Sequence, residues 1–121
     1  MDTFRMDNEK YIYLTTKGRQ SGRPHTVELW YACVNETIYL SHEGTNTDWM
    51  KNILKENRVT FRIGYKQCTG KAHLVNDEKA CEVGKHALYL KYYGKASEDT
   101  INDWFSESTI IEIAILEEEV I

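Results

Sequence analysis

Three stretches carry side chains whose types and spacing could do chemistry. The first, Leu14-Thr15-Thr16-Lys17-Gly18-Arg19-Gln20-Ser21-Gly22-Arg23-Pro24-His25, sets Lys17, Arg19 and Arg23 around two glycines. Glycine lets a backbone approach a phosphate, Ser21 adds a hydroxyl donor, and arginine grips phosphate or carboxylate oxygens in pairs. Such a loop can cradle an anion; the alternative is a solvated basic turn. The second, Leu40-Ser41-His42-Glu43-Gly44-Thr45, ends a strand ahead of a helix bearing Trp49 and Asn52. A strand-to-helix junction of small polar residues aims N–H donors at an anion, although Trp49 on an apolar stripe also suits a core and Asn52 a surface. The third, Leu88-Tyr89-Leu90-Lys91-Tyr92-Tyr93-Gly94, closes a helix with three tyrosines. Flat rings with hydroxyl tips suit a pocket for a ring system, and equally suit packing of helix on sheet.

Other chemistries lack their signatures. The histidines His25, His42, His73 and His86 and the cysteines Cys33, Cys68 and Cys81 show no metal-ligand spacing, so no metal is expected. An odd number of cysteines without a C-x-x-C pair reads as reduced, mostly buried thiols. No nucleophile elbow, Walker loop or dinucleotide-binding glycine fingerprint occurs, which leaves hydrolase and kinase readings without support. A net charge of -4 has the wrong sign for a surface that attracts nucleic acid as a whole. No apolar run approaches the ~18 residues of a membrane span, and Met1 to Lys10 is polar where a signal peptide is apolar. A soluble, cytoplasmic protein is expected.

The elements that must position these groups follow from periodicity. With 121 residues, 41% hydrophobic and 28% charged, the chain reads as one globular domain, residues 1–121, without linker or repeat. Lys10 to Thr16 is β-branched and aromatic and reads as a strand. It pairs across the glycine loop with a second extended run, His25 to Val34, and Thr37 to His42 completes an antiparallel meander. Trp49, Met50, Ile53 and Leu54 form one helical stripe, with Thr47 placed to cap it, Asp48 to meet its dipole and Asn57 to stop it. Arg58 to Ile63 alternates as a half-buried strand, and Gln67 to Val75 reads as another. Asn76 to Tyr93 reads as a helix facing inward through Ala80, Val83, Ala87 and Leu90, with Gly94 as its stop. A short helix capped by Ser97 runs to Phe105. Thr109 to Leu116 is apolar on both faces, as a central strand is, and Glu117 to Glu119 reads as an acidic tail. Six mostly antiparallel strands with helices between the third and fourth and before the last predict a small closed or half-closed barrel with helical cover.

Taken together, Leu14-Thr15-Thr16-x-Gly18-Arg19-x-Ser21-Gly22-x-Pro24, the strand ending Tyr39-Leu40-Ser41, Trp49-x-x-Asn52-Ile53 and Asn57-x-Val59 resemble the deazaflavin-dependent nitroreductase family from Lys10 to Leu116. The resemblance implies a mainly β (α+β) fold, a six-stranded antiparallel split β-barrel with flanking helices of the type that binds flavin mononucleotide (FMN). The implied cofactor is the 8-hydroxy-5-deazaflavin coenzyme F-420. Its phosphate and acidic tail would lie on the loop, at Lys17, Arg19, Gln20, Ser21, Gly22 and His25. Ser41 and His42 would line the ring system, Trp30 would face it from the second strand, and Trp49 and Asn52 would contact it from the helix. Tyr92 and Tyr93 fall near the family's substrate-pocket tyrosines, before a tryptophan that is here Trp104. The chain departs from the family pattern at Gln20, commonly basic there, at His25, often arginine, and at Glu28, commonly proline.

The implied reaction is hydride transfer to an electron-poor small-molecule acceptor, a quinone, an activated alkene or a nitro compound. Tyr92, Tyr93 or His42 would supply a proton. Three alternatives stand beside it: an FMN-binding oxidoreductase of the same fold, a non-catalytic barrel binding single-stranded nucleic acid through Lys17, Arg19 and Arg23, and a packing module that binds no flavin. The resemblance also implies a homodimer.

Overall fold

The computed structural model describes residues 6–43 and 47–120. Strands β1 (Tyr11–Lys17) and β2 (Pro24–Trp30) form a hairpin in which Ile12, Leu14 and Thr16 face inward opposite Leu29, Val27 and His25. At Tyr31 the extended run expected from His25 to Val34 breaks. Its remainder, β3 (Ala32–Val34), leaves β1 and pairs with β4 (Thr37–Glu43). The strand count is therefore seven and not six, and the second run of the expected meander pairs with β1 over its first part and with β4 over its last. Helix α1 (Asp48–Lys55), β5 (Arg58–Ile63), β6 (Lys66–Leu74), α2 (Glu78–Tyr93), α3 (Glu98–Trp104) and β7 (Ser108–Val120) complete the chain.

The strand order is β2-β1-β5-β6-β7-β4-β3, with every neighbouring pair antiparallel. β2 and β3 stand at opposite ends of that order yet are joined through Tyr31, so the sheet curls until its two edges are one stretch of chain. This is the split barrel. β7 is central, with Ile111 and Ile113 buried on one face and Ile110 on the other. It runs on through Glu117 to Glu119, read from sequence as a tail, because β6 extends beside it and the buried Lys66 ammonium meets Glu118 at 3.1 Å.

Two cores result. Inside the curl, Ile12, Leu14, Ile38, Leu40, Phe61 and Ile63 enclose the apolar stripe of α1. Burying Trp49, Met50 and Ile53 contributes about 1.5–3 kcal/mol apiece, enough to fix a helix of two turns at one end of the barrel. Thr47 is its N-cap residue, but its hydroxyl makes no capping bond. Outside the curl, α2 and α3 cover β3, β4 and β7 around Tyr39, Leu88, Ile101, Phe105 and Ile110. The inward stripe of α2 is turned from the one expected: Gly84 and Leu88 are buried, whereas Val83 and Leu90 are exposed. The reason is close approach, since a Cβ on Gly84 would lie 2.7 Å from Tyr39 Cδ1. Asp77 caps α2 by accepting from the Ala80 N–H, and the helix starts at Glu78 rather than Asn76. No helix among the described residues is long and apolar enough to cross a membrane.

Candidate functional site

The β1–β2 loop folds back on itself: the Gly18 N–H donates to the Arg23 carbonyl at 2.8 Å, and the Gly22 N–H to the Gly18 carbonyl at 2.9 Å. Gly22 has a φ of +73°, a left-handed conformation that glycine adopts without strain. Gly18 lies beneath the loop, where a Cβ would meet Ser21 Oγ at 2.7 Å and His25 Nε2 at 2.9 Å. Only a residue without a side chain allows Ser21 and His25 to converge there.

Asn52 ties this loop to α1. It is 2% exposed. Its Oδ1 accepts from the Arg19 N–H at 3.1 Å and from Arg19 Nη1 at 3.0 Å, while its Nδ2 donates to Thr16 Oγ1 at 3.0 Å. Lys55 Nζ adds a bond to the Arg19 carbonyl at 2.9 Å. The Arg19 guanidinium reaches Asp48 as well, through Nη2 to Oδ1 at 3.1 Å. Between loop and helix lies a cavity of about 340 Å³ lined by Gly18, Arg19, Gln20, Ser21, His25, Thr26, Val27, Asp48, Trp49 and Asn52. The Gln20 and Ser21 N–H groups have no hydrogen-bond partner among the described residues. A guanidinium, unpartnered amides and an imidazole beside the indole of Trp49 make a site suited to an anion attached to an aromatic ring.

Of the residues singled out from sequence, this cavity gathers Arg19, Gln20, Ser21, His25, Trp49 and Asn52. Lys17 and Gly22 border a second concavity on the other side of the loop, with Lys55 and Glu56. His42 stands edge-on to Trp49, ring centroids 5.8 Å apart, and holds the Glu43 carbonyl through Nδ1 at 2.8 Å. Ser41, one residue earlier on β4 and paired with Ile110, lies on the opposite face of the strand. Gly44 and Thr45 lie outside the described residues.

Trp30 and the tyrosines of α2 are elsewhere. Trp30 pairs with Tyr11 on the outer face of the hairpin, opposite to His25 and Val27 and at the far end of β2. Its ring stacks on Tyr92 at 4.2 Å and 5°, with Tyr93 at 5.9 Å and Trp104 following Tyr93 at 4.9 Å. Trp30 is thus not among the residues lining the cavity beside the loop, because strand alternation turns it to the other face. The Tyr92 hydroxyl accepts from the Tyr31 N–H at 2.9 Å and lies within bonding distance of the Lys10 and Tyr31 carbonyls at 2.7 and 2.9 Å. Burial pushes this phenol up to about 12. It holds β2, β3 and the N-terminal segment together and has no free donor to offer. Asp48 is the cavity residue that sequence reasoning assigned only to the helix dipole; its spacing from Asn52, one helical turn, was the available signal.

The sequence profile of the F420H(2)-dependent quinone reductase family matches residues 3–98. No protein with a curated description matches the chain. Among solved structures, a conserved hypothetical protein from Mycobacterium tuberculosis has a TM-score of 0.78 at 19% identity, covering 92% of this chain and 76% of that one. A pyridoxamine 5'-phosphate oxidase-type protein from Listeria innocua gives 0.72 at 18% identity, covering 96% and 91%. A protein named F420 reductase gives 0.62 at 17% identity, covering 94% and 92%. At these identities the structural likeness speaks for the split-barrel fold.

Proposed function

The chain belongs to the F420H(2)-dependent quinone reductase family and is an oxidoreductase that uses coenzyme F-420; from that premise we propose that it reduces a quinone-type acceptor, with the coenzyme's anionic arm held between the β1–β2 loop and α1. FMN is not needed to account for the fold or the site. The observation that carries the placement is the cavity in which Arg19, Gln20, Ser21 and His25 converge over the side-chain-free Gly18. When bound, the reduced coenzyme supplies a hydride. The protein's own residues bind and orient. Arg19 presents a guanidinium fixed by Asn52, Gln20 and Ser21 present amides, His25 presents an imidazole, and Trp49 forms the wall on which a flat ring system packs. Lys17 and Gly22 extend the anion-binding surface around the loop.

Reduction of a quinone also takes up a proton. His42 is the group best placed to deliver it, because its Nδ1 is engaged by the Glu43 carbonyl at 2.8 Å and its ring is held against Trp49. With Nδ1–H donated to that carbonyl, Nε2 is the ring nitrogen left to pass a proton to an acceptor. Tyr93, exposed at the end of α2, is the second candidate, and Tyr92 is the third, with its hydroxyl already committed. Turnover with a soluble quinone orders them: His42→Gln is expected to lose tenfold or more, and Tyr93→Phe with undiminished turnover on every acceptor removes Tyr93.

The placement is tested by titrating coenzyme F-420 into wild type and Arg19→Ala, following quenching of its fluorescence. Binding weakened about tenfold or more in the variant supports the placement, since a charged hydrogen bond contributes about 1.5–3 kcal/mol. Equal binding puts the coenzyme elsewhere. Single-stranded oligonucleotide bound more tightly than the coenzyme, with steep salt dependence, favours the non-catalytic reading.

A further inference from the structure

The cavity holds one acidic side chain among its described lining residues, Asp48, and that side chain touches the arginine a ligand would use. Its geometry is asymmetric. The Asp48 side chain is 88% exposed and that of Arg19 is 27% exposed. Rotating the carboxylate away returns it to water at little cost, because it was never desolvated. Arg19 has no such freedom. On its other side Nη1 donates to the buried Asn52 Oδ1 at 3.0 Å, its main-chain N–H donates to the same oxygen at 3.1 Å, and Lys55 holds its carbonyl at 2.9 Å. Its Nη1 also lies 3.4 Å from the Asp48 main-chain carbonyl, a group that stays in place whatever the side chain does.

We propose that Asp48 is an exchangeable counter-anion for Arg19, displaced when a phosphate enters the cavity, and that it thereby raises the threshold for anion binding, so that phosphate binds and singly charged carboxylates do not. The proposal rests on the reading that this cavity receives the coenzyme's anionic arm. A monoanion offers Arg19 what the Asp48 carboxylate already offers from a tethered position, at high effective concentration. It gains little by displacing it. Inorganic phosphate carries more charge and more acceptor oxygens, and Gln20 and Ser21, whose N–H groups have no partners among the described residues, line the same cavity. The internal carboxylate therefore subtracts nearly the same amount from every anion's affinity. That subtraction removes weak ligands from the binding range and leaves strong ones within it.

The opposite role, in which Asp48 simply braces Arg19 for binding, predicts the opposite sign. Asp48→Asn separates them, since the amide keeps an acceptor for Nη2 and removes the charge. Calorimetric titrations with inorganic phosphate, acetate and coenzyme F-420 would be made on wild type, Asp48→Asn, Arg19→Ala and the double variant. Asp48→Asn is expected to tighten phosphate about threefold to tenfold, to bring acetate into the measurable range, and to give no such gain in the Arg19→Ala background. Phosphate affinity that is unchanged or weaker in Asp48→Asn overturns the proposal, as does a gain that survives loss of Arg19, or phosphate binding by neither protein. Asp48→Ser, which also keeps an oxygen at the helix start, gives the same reading should the asparagine variant fold poorly.

The coenzyme arm is read separately. If the phosphate pattern holds while coenzyme affinity ignores Arg19, the exchange stands and the placement of the coenzyme falls. If the coenzyme needs Arg19 but phosphate ignores Asp48, the placement stands and the exchange falls.

Discussion

Asn52 joins three elements with one amide, taking two donors from Arg19 and giving one to Thr16 on β1. Asn52→Ala leaves the Thr16 hydroxyl and the Arg19 N–H inside the fold without their partner, so a loss of about 1–3 kcal/mol in urea denaturation is expected. Coenzyme affinity should fall with it, because Arg19 is no longer oriented. Tyr92 is the contrasting case: Tyr92→Phe should cost a similar amount of stability while leaving the coenzyme Kd within twofold, since its hydroxyl bonds only backbone. A large loss of coenzyme affinity in Tyr92→Phe would show that the aromatic cluster reaches the cofactor. The sequence made Arg19, Ser21, Gly22 and Asn52 legible because local motifs and turn chemistry carry them. It did not reveal that Asn52 braces Arg19 against β1, because burial of a polar residue depends on the loop that closes over it, 33 residues away.

Strand and helix identities were readable from period, and the β1–β2 hairpin from its turn, but the order of the other strands was not. β5 alternates as written, and β7 is apolar on both faces and central. The break at Tyr31 has no glycine or proline to announce it; what separates β2 from β3 is that each finds a different partner. The phase of α2 failed for a related reason. Val83 and Leu90 look like core residues, but Gly84 brings the helix axis closest to β4, and contact with Tyr39 outweighs the burial of two aliphatic side chains. Gly84→Ala tests this, since the new methyl would also lie 3.0 Å from Ile110 Cγ2. Overpacking costs about 1–3 kcal/mol and the better helix propensity of alanine returns about 1. A net loss of up to about 2 kcal/mol is expected, and an unchanged melting temperature would mean that the helix has room to move away.

At the scale of the molecule, several acidic protons are held in the barrel wall and its helical cover. Burial pushes the Cys33 and Cys68 thiols from 9.0 up to about 11, and the Tyr92 phenol from 10.0 to about 12; the Tyr31 phenol is raised in the same direction. Each group keeps its proton longer folded than unfolded, so between these values the native state binds more protons and stability declines as pH rises. Urea midpoints should therefore be steady up to about pH 9 and fall progressively above it; a flat profile to pH 11 would show that the groups are better hydrated than the structure has them. The strand order has a further consequence for how the protein is made. β7 follows every other strand in sequence yet lies between β6 and β4. While it is still inside the ribosome, the two halves of the sheet have no seam, and the edges of β6 and β4 stand open. The nascent chain therefore cannot close its barrel during synthesis of the earlier strands, and protease resistance should appear only after the segment from Ser108 has emerged.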